Sequence, residues 1–136
     1  MNIFCVYLCD YNDRNDYYLS LMPYGITSIA AYLEKNGHEV TLANLSAYGY
    51  LKGASLTLQS RPDAVAISIF SFNRTESFKY IKELKKNNKN IIVIAGGQHP
   101  TFLSEQIISR YPEINFIIRG EGEHAIQKLI DKSFLI

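Results

Sequence analysis

Apolar residues recur along this chain in two alternating rhythms. Short runs of the kind that fill strands are each followed by a stretch in which apolar positions return every three or four residues. Asn2–Leu8 reads as a first strand, followed by a long polar and aromatic segment reaching Met22. Pro23 and Gly25 then open a helix with Ile26, Ile29, Ala30 and Leu33 on one side, and Asn36-Gly37 closes it. His38–Ala43 reads as the second strand. In residues 44–61, Tyr48, Leu51, Leu56 and Leu58 make only a weak helical pattern, and Gly49 and Gly53 interrupt it, so a short or irregular helix is expected. The near-continuous run Ala64–Ile69, introduced by Pro62-Asp63, suits a strand covered on both faces. A helix through about Asn88 should bury Phe78, Ile81 and Leu84. Strand four is Asn90–Ala95, with a helix on Leu103, Ile107 and Tyr111 after it. Strand five is Ile114–Ile118, and Ala125, Ile126, Leu129 and Ile130 pattern the last helix.

Five strand-then-helix units predict an α/β domain with a parallel sheet, right-handed crossovers and helices on both faces. Neither an internal repeat nor a low-complexity linker divides the chain. Its 136 residues suit a single domain, of a size that buries roughly 65–70% of its unfolded surface.

In such sheets ligands bind at the carboxyl edge of the strands. Here that edge carries Cys9–Pro23, Ser68–Thr75, Gly96–Thr101 and Gly120–Glu123. The most informative of these are Gly96-Gly97-Gln98-His99-Pro100-Thr101 and its echo Arg119-Gly120-Glu121-Gly122-Glu123. Gly96 and Gly97 remove two side chains where the backbone turns, which would let a bulky ligand lie against the main chain. Thr101 is placed to cap the following helix with help from Glu105.

Composition narrows the partners. Apolar residues make up 47% and charged residues 20%, a globular balance, and 14 basic against 13 acidic side chains leave a net charge of +1. That gives no field for nucleic acid or an anionic membrane. Lys79, Lys82, Lys85, Lys86 and Lys89 cluster as a solvated helix face would. The apolar start lacks the flanks of a signal peptide, and no run nears the ~20 apolar residues of a membrane span. Cys5 and Cys9, about 13 Å apart if the strand continues, are too distant for a disulfide. A cytoplasmic, reduced location is expected.

Familiar ligands of this sheet edge fit poorly. An FMN phosphate loop needs glycine and hydroxyl residues after strand one, where the chain has Cys9-Asp10-Tyr11-Asn12-Asp13-Arg14. A phosphoacceptor site needs an Asp ending strand three and a Lys after strand five, where Ser68 and Arg119 stand. The Gly-Glu-Gly of residues 120–122 is a fragment of a dinucleotide fingerprint in the wrong place. His99 has no nearby nucleophile, and His38 and His124 lie at element ends.

The run Pro23-Tyr24-Gly25-Ile26-Thr27-Ser28-Ile29-Ala30-Ala31-Tyr32-Leu33, continuing to Val40, resembles the opening of the N-terminal cobalamin (B12)-binding domain of B12-dependent radical SAM proteins. Pro62–Ser68, Gly96–Thr101 and Arg119–Glu123 follow in that family's order and spacing, so the resemblance spans the whole chain. It implies a flavodoxin-like, Rossmann-like sheet of order 2-1-3-4-5 whose carboxyl edge faces the corrin ring. The nucleotide tail of the cofactor would enter near the loops after strands three and four. The residues it marks are Pro23, Gly25, Ser68, Ser71, Gly96, Gly97, His99, Pro100, Thr101, Gly120, Glu121, Gly122 and Glu123. Ser68, Ser71 and the two glycines would leave room for the tail. Gly120 and Gly122 would bring the last loop close to the ligand. Glu121 or Glu123 would accept from its amides, or simply favour the dipole of the last helix.

Two departures matter. Residues 9–22 hold no histidine, so the Asp-x-His-x-x-Gly pattern that supplies a cobalt ligand in methionine synthase and the mutases is missing. Radical SAM chemistry also needs C-x-x-x-C-x-x-C for an iron-sulfur cluster. This chain has two cysteines, and Cys5 sits inside a strand. The cluster and S-adenosylmethionine would therefore belong to a downstream or partner domain, and residues 1–136 read as one domain of a longer radical SAM protein, ending just after the fold closes. The expectation is a corrinoid-binding module serving a radical SAM catalytic domain in cis or in trans, for methyl transfer or related chemistry. The alternative is a family member that keeps the fold as a scaffold without cobalamin.

Overall fold

The computed structural model describes residues 1–10 and 21–133. The readings made above on Tyr11 to Arg14, and on the last three residues, fall outside the described residues. Five strands form one parallel sheet, β1 (Asn2–Tyr7), β2 (Glu39–Asn44), β3 (Ala64–Ser68), β4 (Ile92–Gly96) and β5 (Phe116–Ile117), in the order β2-β1-β3-β4-β5. The helices are α1 (Tyr24–Lys35), α2 (Gly49–Gln59), α3 (Arg74–Asn87), α4 (Gln98–Phe102), α5 (Ser104–Arg110) and α6 (Glu123–Ser133), with a 3₁₀ turn at Ser71–Asn73 before α3.

Right-handed crossovers place helices on opposite faces when the strand order reverses, as it does between β1 and β3. The core divides accordingly. On one face Phe4, Val6, Val65, Ile67, Val93 and Ala95 pack with residues of α2, α3 and α5. On the other, Ile3, Cys5, Ala64, Ala66 and Ile94 pack with residues of α1 and α6. Along β3 the alternation is unequal. Val65, Ile67 and Ile69 point to the first face, and Ala64, Ala66 and Ser68 to the second. Small side chains thus line the α1/α6 face at the centre of the sheet.

Three expectations change. Residues 49–59 form a regular helix, because Gly53 lets α2 lie tightly on Leu45, whose atoms would meet a Cβ there at 3.4 Å. The buried positions are Gly53, Ala54 and Thr57, while Tyr48 and Leu51 are exposed. Thr57 Oγ1 hydrogen-bonds Tyr80 Oη at 2.7 Å, so tertiary contacts override a poor intrinsic propensity. The helix after β4 is broken at Leu103 into α4 and α5, and of its three predicted apolar positions Ile107 is the buried one. Finally, β5 shrinks to two residues. Asn115 Oδ1, instead of a neighbouring strand, accepts from Val93 N at 2.8 Å and from Lys85 Nζ at 2.8 Å. Lys85 is accordingly half-buried rather than solvated, and burial lowers its pKa.

Among the described residues no helix is long and apolar enough to cross a membrane. Cys5 and Cys9 are both buried, and the two are not joined in a disulfide. Burial pushes the Cys5 thiol up from its ordinary 9.0 to about 12. The unfolded chain releases this proton near 9.0 while the folded chain holds it to about 12, so the stability linked to it is full below pH 9.0 and falls as pH rises toward 12. Urea unfolding at stepped pH should show the parent losing about 1.4 kcal/mol per pH unit more than Cys5→Ala once the unfolded thiol ionises.

Candidate ligand-binding cleft

A cleft of about 840 Å³ opens at the carboxyl edge on the α1/α6 face. Its floor includes the small residues Ala66, Ser68 and Gly96 beside Ile94 and Ile118, and its walls are the inner sides of α1 and α6. Ser68 is 7% exposed, and its hydroxyl has no hydrogen-bond partner among the described residues, although its carbonyl accepts from Asn73 Nδ2 at 3.4 Å. A hydroxyl in such a wall keeps its hydrogen-bonding capacity for whatever enters.

The two adjacent glycines play different parts. A Cβ on Gly96 would meet only the Ile118 carbonyl oxygen, at 3.7 Å, which is an ordinary contact. Gly97 has φ +102, and a Cβ there would lie 2.6 Å from Ile69 O and 2.9 Å from Ile69 N. That crowding arises because the β3 and β4 loops are laced together, Ile69 N donating to Gly96 O at 2.8 Å and His99 N to Ile69 O at 3.1 Å. Gly97 is therefore required by the backbone itself, besides lining the cleft.

The reading of Thr101 needs correction. It lies inside α4 and caps neither α4 nor α5, both of which lack a side-chain cap bond. Its hydroxyl donates to Gly97 O at 2.7 Å and accepts from Gly120 N at 3.1 Å, tying the loop after β5 to the loop after β4. Gly122 is a packing residue. A Cβ there would approach Ile29 Cδ1 to 3.1 Å and Ile118 Cγ2 to 3.3 Å, so its absence lets α6 begin close against α1. Glu123 occupies the first turn of α6, where its charge favours the helix dipole, and Glu121 stands exposed just before it.

Of the residues singled out from sequence, Gly25, Ser68, Gly96, Gly97, Thr101, Gly120, Glu121, Gly122 and Glu123 converge on the cleft. Pro23, Ser71, His99 and Pro100 are not among its lining residues. Pro23 precedes α1 and accepts from Thr27 N and Thr27 Oγ1. Ser71 is exposed in the 3₁₀ turn, and Pro100 is buried within α4. His99 turns to the opposite face of the sheet, its ring 6.1 Å from that of Phe78. There burial first, and the Arg74 guanidinium second, hold its pKa below the ordinary value.

Sequence reasoning missed the aromatic mouth. Tyr24 and Phe102 are 87% and 81% exposed at the rim, and Phe70 joins them from the loop after β3. Further along α1, Tyr32 Oη hydrogen-bonds the exposed His124 at Nδ1, 3.1 Å away, linking α1 to α6. The signal was present in α1, where Tyr24, Ser28 and Tyr32 recur at helical spacing beside the apolar stripe that faces the core.

Residues 14–130 match the sequence profile of the B12 binding domain. The chain belongs to the B12-binding domain family. Among curated relatives, it is 30% identical over 81% of its length to the anaerobic magnesium-protoporphyrin IX monomethyl ester cyclase of Synechocystis sp.. It is 25% identical over 86% of its length to the cobalamin-dependent radical SAM methyltransferase TokK of Streptomyces tokunonensis, and 25% identical over 96% to the hopanoid C-3 methylase of Methylococcus capsulatus. The chain spans only 23%, 18% and 26% of those three proteins. A response regulator receiver domain protein from Clostridium thermocellum superposes with a TM-score of 0.61 over 99% of this chain and 98% of its own, at 17% identity, which shows the shared flavodoxin-like fold.

For this B12-binding domain the glycine pair separates packing from space. Gly97→Ala should lower stability by about 1–3 kcal/mol in urea unfolding, through an unfavourable φ and a backbone clash. Gly96→Ala should change it by about 0.5 kcal/mol or less. Equal losses at the two positions would contradict the geometry.

Proposed function

We propose that this domain binds a corrinoid in the cleft between β3, β4, α1 and α6 and holds it for a radical SAM catalytic domain, in the same polypeptide or in a partner. What carries this reading is the floor of Ala66, Ser68 and Gly96 in a chain whose residues 14–130 match the B12 binding domain. The small residues at this floor fit the entry of a nucleotide tail between sheet and helices. The Ser68 hydroxyl, unpartnered among the described residues, would donate to or accept from that tail. Glu121 and Glu123 at the mouth would accept hydrogen bonds from the amide groups around a corrin ring. Tyr24 and Phe102 would cover its apolar edges. When bound, the corrinoid would supply a carrier for a methyl group.

The chain's own part is to bind, orient and shield. Neither of its cysteines is placed for an iron-sulfur cluster. Cys5 is buried in β1 with a raised pKa, and Cys9 is buried just after β1, its Sγ 2.8 Å from Tyr7 Oη. The matched segment makes up only 18% and 26% of two relatives whose names carry a cobalamin-dependent or methylating activity, which supports a catalytic domain outside it.

Mixing the purified chain with hydroxocobalamin, removing free cofactor and recording the visible spectrum tests the proposal. The parent should retain corrin absorbance at micromolar protein. Gly96→Leu, which places a side chain in the cleft without meeting the Ile69 backbone, should weaken retention by about tenfold or more, about 1.4 kcal/mol, with an unchanged thermal transition. A parent that retains no corrin would favour a scaffold role, and a Gly96→Leu variant that binds as well as the parent would move the site elsewhere.

A further inference from the structure

On the other face of the sheet a second cavity, of about 430 Å³, opens between α3 and the α4–α5 segment. It exists because α3 packs closely along α2 but scarcely touches α5. Its floor is apolar. The rings of Phe78 and Tyr111 stack there with centroids 4.0 Å apart and an interplanar angle of 7°, beside buried Ile107.

Its rim is cationic, with Arg74, Lys79, Lys82 and Arg110, and no carboxylate lines it. Lys79 has a partner, Glu76 Oε1 at 3.8 Å. Arg74, Lys82 and Arg110 have no carboxylate within ion-pair distance among the described residues; Arg74 donates to the Ser71 carbonyl, and Lys82 Nζ lies 5.5 Å from the Tyr111 ring centroid. A chain of net charge +1 thus gathers three uncompensated cations around one apolar floor. Gathering like charges costs free energy that an anion between them would offset. The field is already felt locally, since Arg74 helps to hold the proton off His99.

A groove of about 430 Å³ is of the size that takes a small molecule. Two of the three free cations are arginines, whose planar forks match phosphate oxygens in pairs, and a dianion offsets more of the repulsion than a carboxylate does.

We propose that this groove binds a small organic phosphate, its ring or short apolar body over Phe78 and Ile107 and its head among Arg74, Lys82 and Arg110. The site is independent of the corrinoid cleft, which lies across the sheet and whose lining charges are Glu121 and Glu123.

Phenyl phosphate is the probe, and the imidazole resonances are the readout. The chain has three histidines, of which His99 lines this groove, His124 lines the cleft and His38 binds Gln127 on α6. His99 should shift saturably with a Kd of about 1 mM or tighter, while His38 and His124 stay still. Phenol and inorganic phosphate should each bind at least about tenfold more weakly, because each lacks one half of the match. The double variant Lys82→Glu with Arg110→Glu changes two exposed side chains, should keep the parent's thermal transition, and should lose the His99 response. A still His99, a shift at His124 in its place, inorganic phosphate binding as tightly as the ester, or an unaltered response in the double variant would overturn the proposal.

Discussion

The architecture depends on the unequal alternation of β3. A central strand in a doubly covered sheet must offer an apolar side chain to each face, but the two faces need not receive equal volume. Val65, Ile67 and Ile69 fill the α2/α3/α5 side beneath the strand, where all three are buried. Ala64, Ala66 and Ser68 leave the other side shallow, so α1 and α6 cannot close over the carboxyl end. The cleft is the volume that these small side chains fail to fill. Close packing elsewhere keeps it from collapsing, because a void of that size survives only where the walls are held independently.

What holds the walls is a set of side chains bonded to backbone across the edge. Asn73, buried in the turn before α3, donates to Leu8 O at 3.0 Å and accepts from Phe70 N at 2.6 Å, joining the exits of β1 and β3. The Ile69 backbone then meets Gly96 and His99, joining β3 to β4, and Thr101 joins β4 to β5. On the far side Ser46 Oγ accepts from Cys9 N at 2.8 Å, joining β1 to β2. Each bond satisfies a loop amide or carbonyl that would otherwise need water. The edge is therefore fixed before any ligand arrives, which reduces the ordering cost that binding must overcome.

Much of this was legible in the residues. Alternating strand and helix periods are strong signals in long apolar runs, and they located all five strands and most of the helices. Failures came where tertiary contacts outweigh local preference. Gly53 marks a close helix packing instead of a break, and Asn115 replaces part of a strand ladder with its side chain. In the cleft, glycine identity was readable but its reason was not. Whether Gly97 makes room for a ligand or for the Ile69 carbonyl depends on a contact 28 residues away in sequence. His99 shows the same limit. A motif places it on the edge, and only the turn of α4 decides that it faces Phe78 and not the cleft.

The two faces end up with opposite chemical characters. The cleft offers small residues, exposed aromatic rims and carboxylates, a surface suited to a large ligand rich in amides. The groove on the other side offers guanidinium and ammonium groups over stacked rings. The buried Cys5 thiol is held protonated by its surroundings, and His124 in the cleft is engaged by the Tyr32 hydroxyl. Among the described residues no three histidine, cysteine, aspartate or glutamate side chains converge. The side chains of this domain thus supply shape, hydrogen bonds and charge. The shape of the cleft is set by the same small residues of β3 and β4 that keep the sheet from being covered there.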